Sequence, residues 1–164
     1  MGFLLPSGGE SHAQETQITR GAWLVGCGDA ASGKSICQMQ RDVLIEDSED
    51  PVIQVLITRA RGASQEYLRF ITPLGVSLRS GLSYTITRRG ETGDPRRFDY
   101  QSCQPNGCFA MTDFAPDEIT AFKKSRKINV TYFSSAGQPV NVSIDLKGFT
   151  AAHRRFEKMS KAPR

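Results

Sequence analysis

Val140-Asn141-Val142-Ser143-Ile144-Asp145-Leu146-Lys147 alternates apolar and polar residues without a break. Successive side chains of an extended strand point to opposite faces, so a period of two describes a strand with one buried face and one wet face. The same pattern recurs upstream. Ile128, Val130 and Tyr132 alternate with Asn129 and Thr131; Leu82, Tyr84 and Ile86 alternate with Ser83, Thr85 and Thr87. Phe98 and Tyr100 alternate with Asp99 and Gln101, which predicts one strand through all four. Ile53, Val55 and Ile57 form one face of a more buried strand, with Val52 and Leu56 on the other. Leu68 with Phe70, and Trp23 with Val25, complete the set.

Turn signals separate these runs at short intervals: Gly62, Pro73 to Gly75, Gly90 to Pro95, Pro105 to Gly107 and Ala136 to Pro139. Short alternating strands broken by Gly/Pro turns predict a mainly β fold, an antiparallel β-sandwich or partly open barrel. Two short helices are expected besides. One opens at Pro116-Asp117-Glu118 and runs to Lys124, with acids in its first turn and bases in its last, as the helix dipole favours. The other is C-terminal. It starts near Thr150, a candidate N-cap after Gly148, and runs to about Met159 with a stripe of Phe149, Ala152, Phe156 and Met159.

A chain of 164 residues with 38% hydrophobic and 23% charged residues can bury one core, which excludes disordered and fibrous classes. The longest apolar runs, such as Ala22 to Val25, fall far short of the roughly 20 residues of a membrane helix, so no transmembrane span is expected. Ser11 and Ala13 fit a small-x-small cleavage pattern. Residues 1–15 are therefore expected to be a disordered arm or the remnant of an export signal. Residues 16–160 then form a single β-rich domain, and 161–164 a disordered tail.

Four cysteines allow three pairings. Cys103 and Cys108 flank Gln104-Pro105-Asn106-Gly107, a tight-turn sequence that brings two strand ends together. Cys27 and Cys37 flank the loop from Gly28 to Ile36 and can close it in the same way. Two local disulfides, Cys27–Cys37 and Cys103–Cys108, are expected, and with them an oxidising compartment. The rival arrangements are a metal site and free thiols. Zinc prefers C-x-x-C knuckles or nearby histidines, whereas His12 lies in the arm and His153 in a predicted helix. No metal or other cofactor is expected.

Gly28-Asp29-Ala30-Ala31-Ser32-Gly33-Lys34-Ser35 fits the phosphate-cradling pattern G-x-x-x-x-G-K-[S/T]. A true cradle joins a strand to a helix in a parallel sheet. Here Ile36 to Ile45 shows no helical face and the rest of the chain is antiparallel in character. A Gly/Ser-rich hairpin loop is the expectation, with nucleotide binding through Gly28 to Ser35 as its alternative. No G-x-S-x-G is present and no catalytic constellation is found, so the chain does not read as an enzyme. Asp94, Asp99, Asp113, Asp117 and Glu118 read as surface charges.

Lys and Arg outnumber Asp and Glu by 21 to 17. Arg88, Arg89, Arg96 and Arg97 bracket one predicted hairpin and are the candidate anion-binding residues. Lys123, Lys124, Arg126 and Lys127 form a second cluster, and Arg154, Arg155, Lys158, Lys161 and Arg164 a third. Nucleic-acid binding would interleave aromatic residues with this charge, and the exposed phases carry Thr, Ser and Asp instead. An anionic surface or an unknown protein is the expected partner, not nucleic acid. The sequence does not define an oligomeric state.

Several separated motifs, in order, resemble the invasion-associated locus B family of exported bacterial proteins. They are Trp23 before Cys27; Ile36-Cys37-Gln38-Met39; Pro73-Leu74-Gly75-Val76 with Leu78 and Gly81; Cys103 before Gly107-Cys108 with Ala110; and Leu146-Lys147-Gly148-Phe149 with Ala152. The resemblance spans residues 20–157. It implies a periplasmic or outer-surface protein of a Gram-negative bacterium, linked in some members to host-cell invasion. It supplies no catalytic residues. The resulting expectation is a non-catalytic exported envelope protein, a binding or scaffolding module. The alternatives are the nucleotide-binding loop above and an adhesion module that meets anionic polymers through its Arg/Lys clusters.

Overall fold

A computed structural model describes residues 17–19 and 21–162 of the chain. Its strands are β1 (Gln17–Thr19), β2 (Leu24–Asp29), β3 (Ser35–Ile45), β4 (Pro51–Ala60), β5 (Tyr67–Thr72) and β6 (Leu82–Arg88). They continue with β7 (Glu91–Thr92), β8 (Arg96–Phe98), β9 (Tyr100–Gln104), β10 (Gly107–Asp113), β11 (Lys127–Phe133) and β12 (Pro139–Asp145). Helix α1 spans Pro116–Lys123 and α2 spans Phe149–Lys161. The expected arm at 1–15 lies outside the described residues.

The strands form two open antiparallel sheets, the arrangement of a sandwich rather than a closed barrel. The larger has the order β1-β3-β4-β5-β10-β9, with β2 pairing alongside β1 on the same side of β3. The smaller has the order β12-β11-β6-β7, with β8 also on β6. Alternation sets which residues face inward. Cys37, Met39 and Val43 of β3, Ile53, Val55 and Ile57 of β4, and Leu68 and Phe70 of β5 are each fully buried. From the smaller sheet Tyr84, Ile128, Val130, Val142 and Ile144 meet them.

Polar side chains tie the two sheets together at several points. The Arg41 guanidinium donates from Nη1 to the carbonyls of Asp145 (3.0 Å) and Lys147 (2.9 Å). The Tyr132 hydroxyl donates to the Val52 carbonyl at 2.9 Å. The helices close one end of the core. Phe122 of α1 packs at 4.9 Å from Phe114, 5.5 Å from Phe149 and 5.8 Å from Tyr84, and Trp23 meets Phe149 edge-on at 5.3 Å.

Three expectations need correction. Phe98 and Tyr100 do not share a strand: Phe98 pairs with Leu82 in the smaller sheet and Tyr100 with Ala110 in the larger. The chain changes sheet at Asp99. The alternation runs on through the crossing because both aromatics pack against the same core. Thr150 is not the N-cap of α2. Gly148 occupies that position at φ 81°, a left-handed conformation that strains residues with a Cβ. The Thr150 hydroxyl instead donates to the Lys123 carbonyl at 3.5 Å. Met159 is 38% exposed, and Ser160 takes the buried position. The inward stripe is Phe149, Ala152, His153, Phe156 and Ser160, and the step from Phe156 is four residues rather than three.

Candidate functional site

The inward phase of β4 runs Ile53, Val55, Ile57 and then Arg59, so the alternation that buries three aliphatic side chains buries an arginine as well. Arg59 is 4% exposed. The chain then turns through Gly62, at φ 81°, and reaches Glu66 just before β5. Glu66 is held by its backbone, whose carbonyl accepts from the Phe114 N–H at 2.9 Å. The inward stripe of α2 delivers His153 to the same place.

Arg59 Nη2 is in contact with Glu66 Oε1, and His153 Nε2 lies 2.8 Å from Glu66 Oε2. All three side chains are almost wholly withdrawn from water. A buried carboxylate without partners would be very costly. Burial by itself raises the Glu66 pKa, but the hydrogen bond and charge of His153, followed by those of Arg59, outweigh it and hold the carboxyl below its ordinary value. Aromatic rings hold both side chains in place. The His153 ring lies between Phe149 and Phe156, each at 5.8 Å, and the Arg59 guanidinium sits 5.3 Å over the Phe156 ring.

A solvent-open cleft of about 560 Å³ lies over this network, between the 61–66 turn, α1 and the last turns of α2. Its sides include Ser64, Pro116, Ile119, Thr120, Lys123 and Lys161. Glu157 Oε2 is 3.7 Å from His153 Nδ1, and Lys161 Nζ is 4.0 Å from Glu157 Oε1. Among the described residues, Arg59 Nε and His153 Nδ1 are buried with no hydrogen-bond partner. The cleft therefore combines an apolar wall, hydroxyls and rim lysines, a composition suited to holding a polar ligand.

Both expected cysteine pairs are at disulfide-bonding distance. Cys27 and Cys37 face each other across β2 and β3 with 3.9 Å between Cα atoms; Cys103 and Cys108 do so across β9 and β10 at 4.0 Å. The segment Gly28 to Ser35 is a β-hairpin connection. The Ala30 N–H donates to the Lys34 carbonyl and the Gly33 N–H to the Ala30 carbonyl, both at 2.8 Å. These two amides are turned to the hairpin itself, and β3 begins where a phosphate cradle would need a helix.

The four candidate anion-binding arginines do not form one patch. Arg96 contacts Glu118 and donates to Thr112 Oγ1 (2.8 Å) and the Asp113 carbonyl (3.1 Å), and Arg97 donates to the Arg79 carbonyl at 3.1 Å. Arg88 and Arg89 stand exposed at the β6–β7 turn. Glu118, expected as a surface charge, is 10% exposed because α1 lays it against Arg96. Burial pushes its carboxyl up to about 7, with the Ala115 backbone N–H pulling the other way. The touching Arg96 guanidinium favours the ionised form.

Sequence reasoning missed Arg59, Glu66 and His153 as a group. Two of them were visible as anomalies: Arg59 continues an aliphatic strand phase, and His153 falls on an apolar helix stripe. A polar residue on a core-facing phase needs a partner. Glu66 carries no such mark, lying in a turn among polar residues.

Known proteins resemble this chain throughout. Residues 23–157 match the family described as invasion associated locus B (IalB) protein. An invasion protein B homologue of Brucella abortus strain 2308 is 30% identical over 155 residues, covering 94% of this chain and 84% of its own length. Its counterpart in Brucella abortus biovar 1 strain 9-941 matches equally. The crystal structure of invasion associated protein B from Bartonella henselae superposes with a TM-score of 0.70 at 19% identity, over 87% of this chain and 95% of that one. At that identity the match speaks for the fold.

Proposed function

The chain belongs to the invasion associated locus B family, and from that premise we propose that it is an exported envelope protein acting as a non-catalytic binding module, periplasmic or outer-surface, with the α1–α2 cleft as its ligand site. The observation that carries the binding role is the cleft above Arg59, Glu66 and His153, the place where buried polar groups meet open solvent. The paired cysteines support export, since such crosslinks persist in oxidising compartments. None of the described helices is long and apolar enough to cross a membrane. The relatives' names tie the family to invasion, and a role in host-cell entry is part of the proposal.

The test is cell fractionation with thiol alkylation before reduction. All four cysteines should resist alkylation and the protein should fractionate with the envelope. Four alkylated cysteines in cytoplasmic protein would overturn the reading. A second reading, adhesion to anionic polymers through Arg88 and Arg89, draws on their exposure at the β6–β7 turn. Binding that does not weaken with added salt would count against it.

A further inference from the structure

We propose that the α1–α2 cleft recognises a carboxylate carried on a hydroxylated ring, an acidic sugar or a molecule of that chemistry, whose carboxylate takes the position now held by Glu157. The inference rests on the cleft being the ligand site and adds the class of ligand.

Glu157 is the starting point. Its Oε2 lies 3.7 Å from His153 Nδ1, too far for a hydrogen bond, and Nδ1 is buried without a partner. Nε2 of the same ring is taken by Glu66. A carboxylate set slightly deeper would meet Nδ1 directly when the ring carries both protons. Glu157 is a surface residue of α2, 36% exposed, and its other contact is the long one to Lys161. Such a side chain can swing out at little cost. The position above His153 is thus shaped for a carboxylate and held loosely by one.

The surrounding charge favours an incoming anion. Lys123 and Lys161 stand on the rim, and the adjoining notch adds Lys34 beside Gly62 and Lys161. Glu66 is already engaged by Arg59 and His153, so Glu157 is the one carboxylate of the lining left to repel a ligand. The rest of the lining selects what carries the anion. Pro116 and Ile119 offer an apolar wall, Ser64 offers a hydroxyl, and Thr120, whose hydroxyl donates to the Pro116 carbonyl at 2.9 Å, offers an acceptor oxygen. A sugar ring has the matching apolar face and hydroxyl edge, and a cleft of about 560 Å³ accommodates one or two rings.

Titration of the oxidised protein with sodium D-glucuronate at low ionic strength, followed by calorimetry or amide chemical shifts, is the test. D-glucose and inorganic phosphate serve as comparison probes. D-glucuronate should bind with a roughly millimolar constant, as expected for a ligand of that size. D-glucose and phosphate should bind at least about tenfold more weakly. Lys123→Ala with Lys161→Ala should weaken D-glucuronate about tenfold. Glu157→Gln should strengthen it about threefold or more, because it removes the competing charge. A cleft that served structure alone would not gain affinity from losing Glu157. Equal binding of D-glucose would keep the cleft as a ligand site and overturn the anion class. Equal binding of phosphate would reduce the site to a general cationic patch and overturn the proposal. Weakening in Glu157→Gln would also overturn it. Failure of all three probes to bind would remove the acidic-sugar ligand and the cleft's binding role together, while leaving the export reading to its own test.

Discussion

The two sheets of the sandwich are held together by different means. In the smaller sheet the inward residues are hydrophobic or aromatic throughout, and even its edge strand β12 buries Val142 and Ile144. It contains no cysteine. The larger sheet turns Arg41 and Arg59 inward among its aliphatic residues. Its edge strands bury little: no residue of β2 or β9 is fully buried. Each of these two strands carries a disulfide to its inner neighbour, at opposite edges of the sheet. Within the larger sheet, the covalent links stand on the edge strands whose side chains are least buried.

The largest effect should come from unbalancing the buried charge of the larger sheet. Glu66→Ala leaves Arg59 withdrawn from water without its carboxylate, and a loss of about 3–5 kcal/mol is expected in urea unfolding. In the smaller sheet Ile144→Ala, at a fully buried position, should cost about 2–5 kcal/mol by opening a cavity. Removing either disulfide by paired Cys→Ser substitution should cost roughly 2–3 kcal/mol, less for the shorter Cys103–Cys108 loop. Hydrogen exchange sharpens the contrast: reduction should speed exchange in β2 and β9 and leave β11 and β12 protected. Equal acceleration in both sheets would break the distinction.

Acid acts on the larger sheet in the same way. Glu66 has a folded pKa below its ordinary 4.5, so its contribution is complete above 4.5 and is lost as pH falls through the folded value. Urea midpoints should therefore decline below about pH 4.5. Glu66→Gln should start lower and decline less. The smallest effect is expected at the surface. Leu24→Ser, at a side chain 68% exposed, should shift stability by less than about 0.5 kcal/mol.

The smaller sheet was nearly all legible. The Val140 to Lys147 and Ile128 to Tyr132 runs became β12 and β11 in the expected phase, because one face of each meets the core and the other meets water. The cysteine pairs were legible because each closes a local turn. The sheet change at Asp99 was hidden, since both flanking aromatics bury inward whichever sheet they join. The candidate site was least legible. Arg59, Glu66 and His153 come from β4, a turn and α2, and Glu66 and His153 stand 87 positions apart. No local pattern records a pairing at that range; only Arg59 and His153 disclose themselves, by occupying phases that should have been apolar.

The placement of the two crosslinks also sets an order of events. Before the sulfurs are oxidised, the smaller sheet and the inner strands of the larger have their side-chain burial to hold them, while β2 and β9 rely on backbone pairing at exposed edges. Such a chain is expected to keep its interior and fray at its margins, and oxidation to close both margins while leaving the interior as it was. On that expectation the sulfur chemistry is a latch thrown last, at a moment set by the redox surroundings.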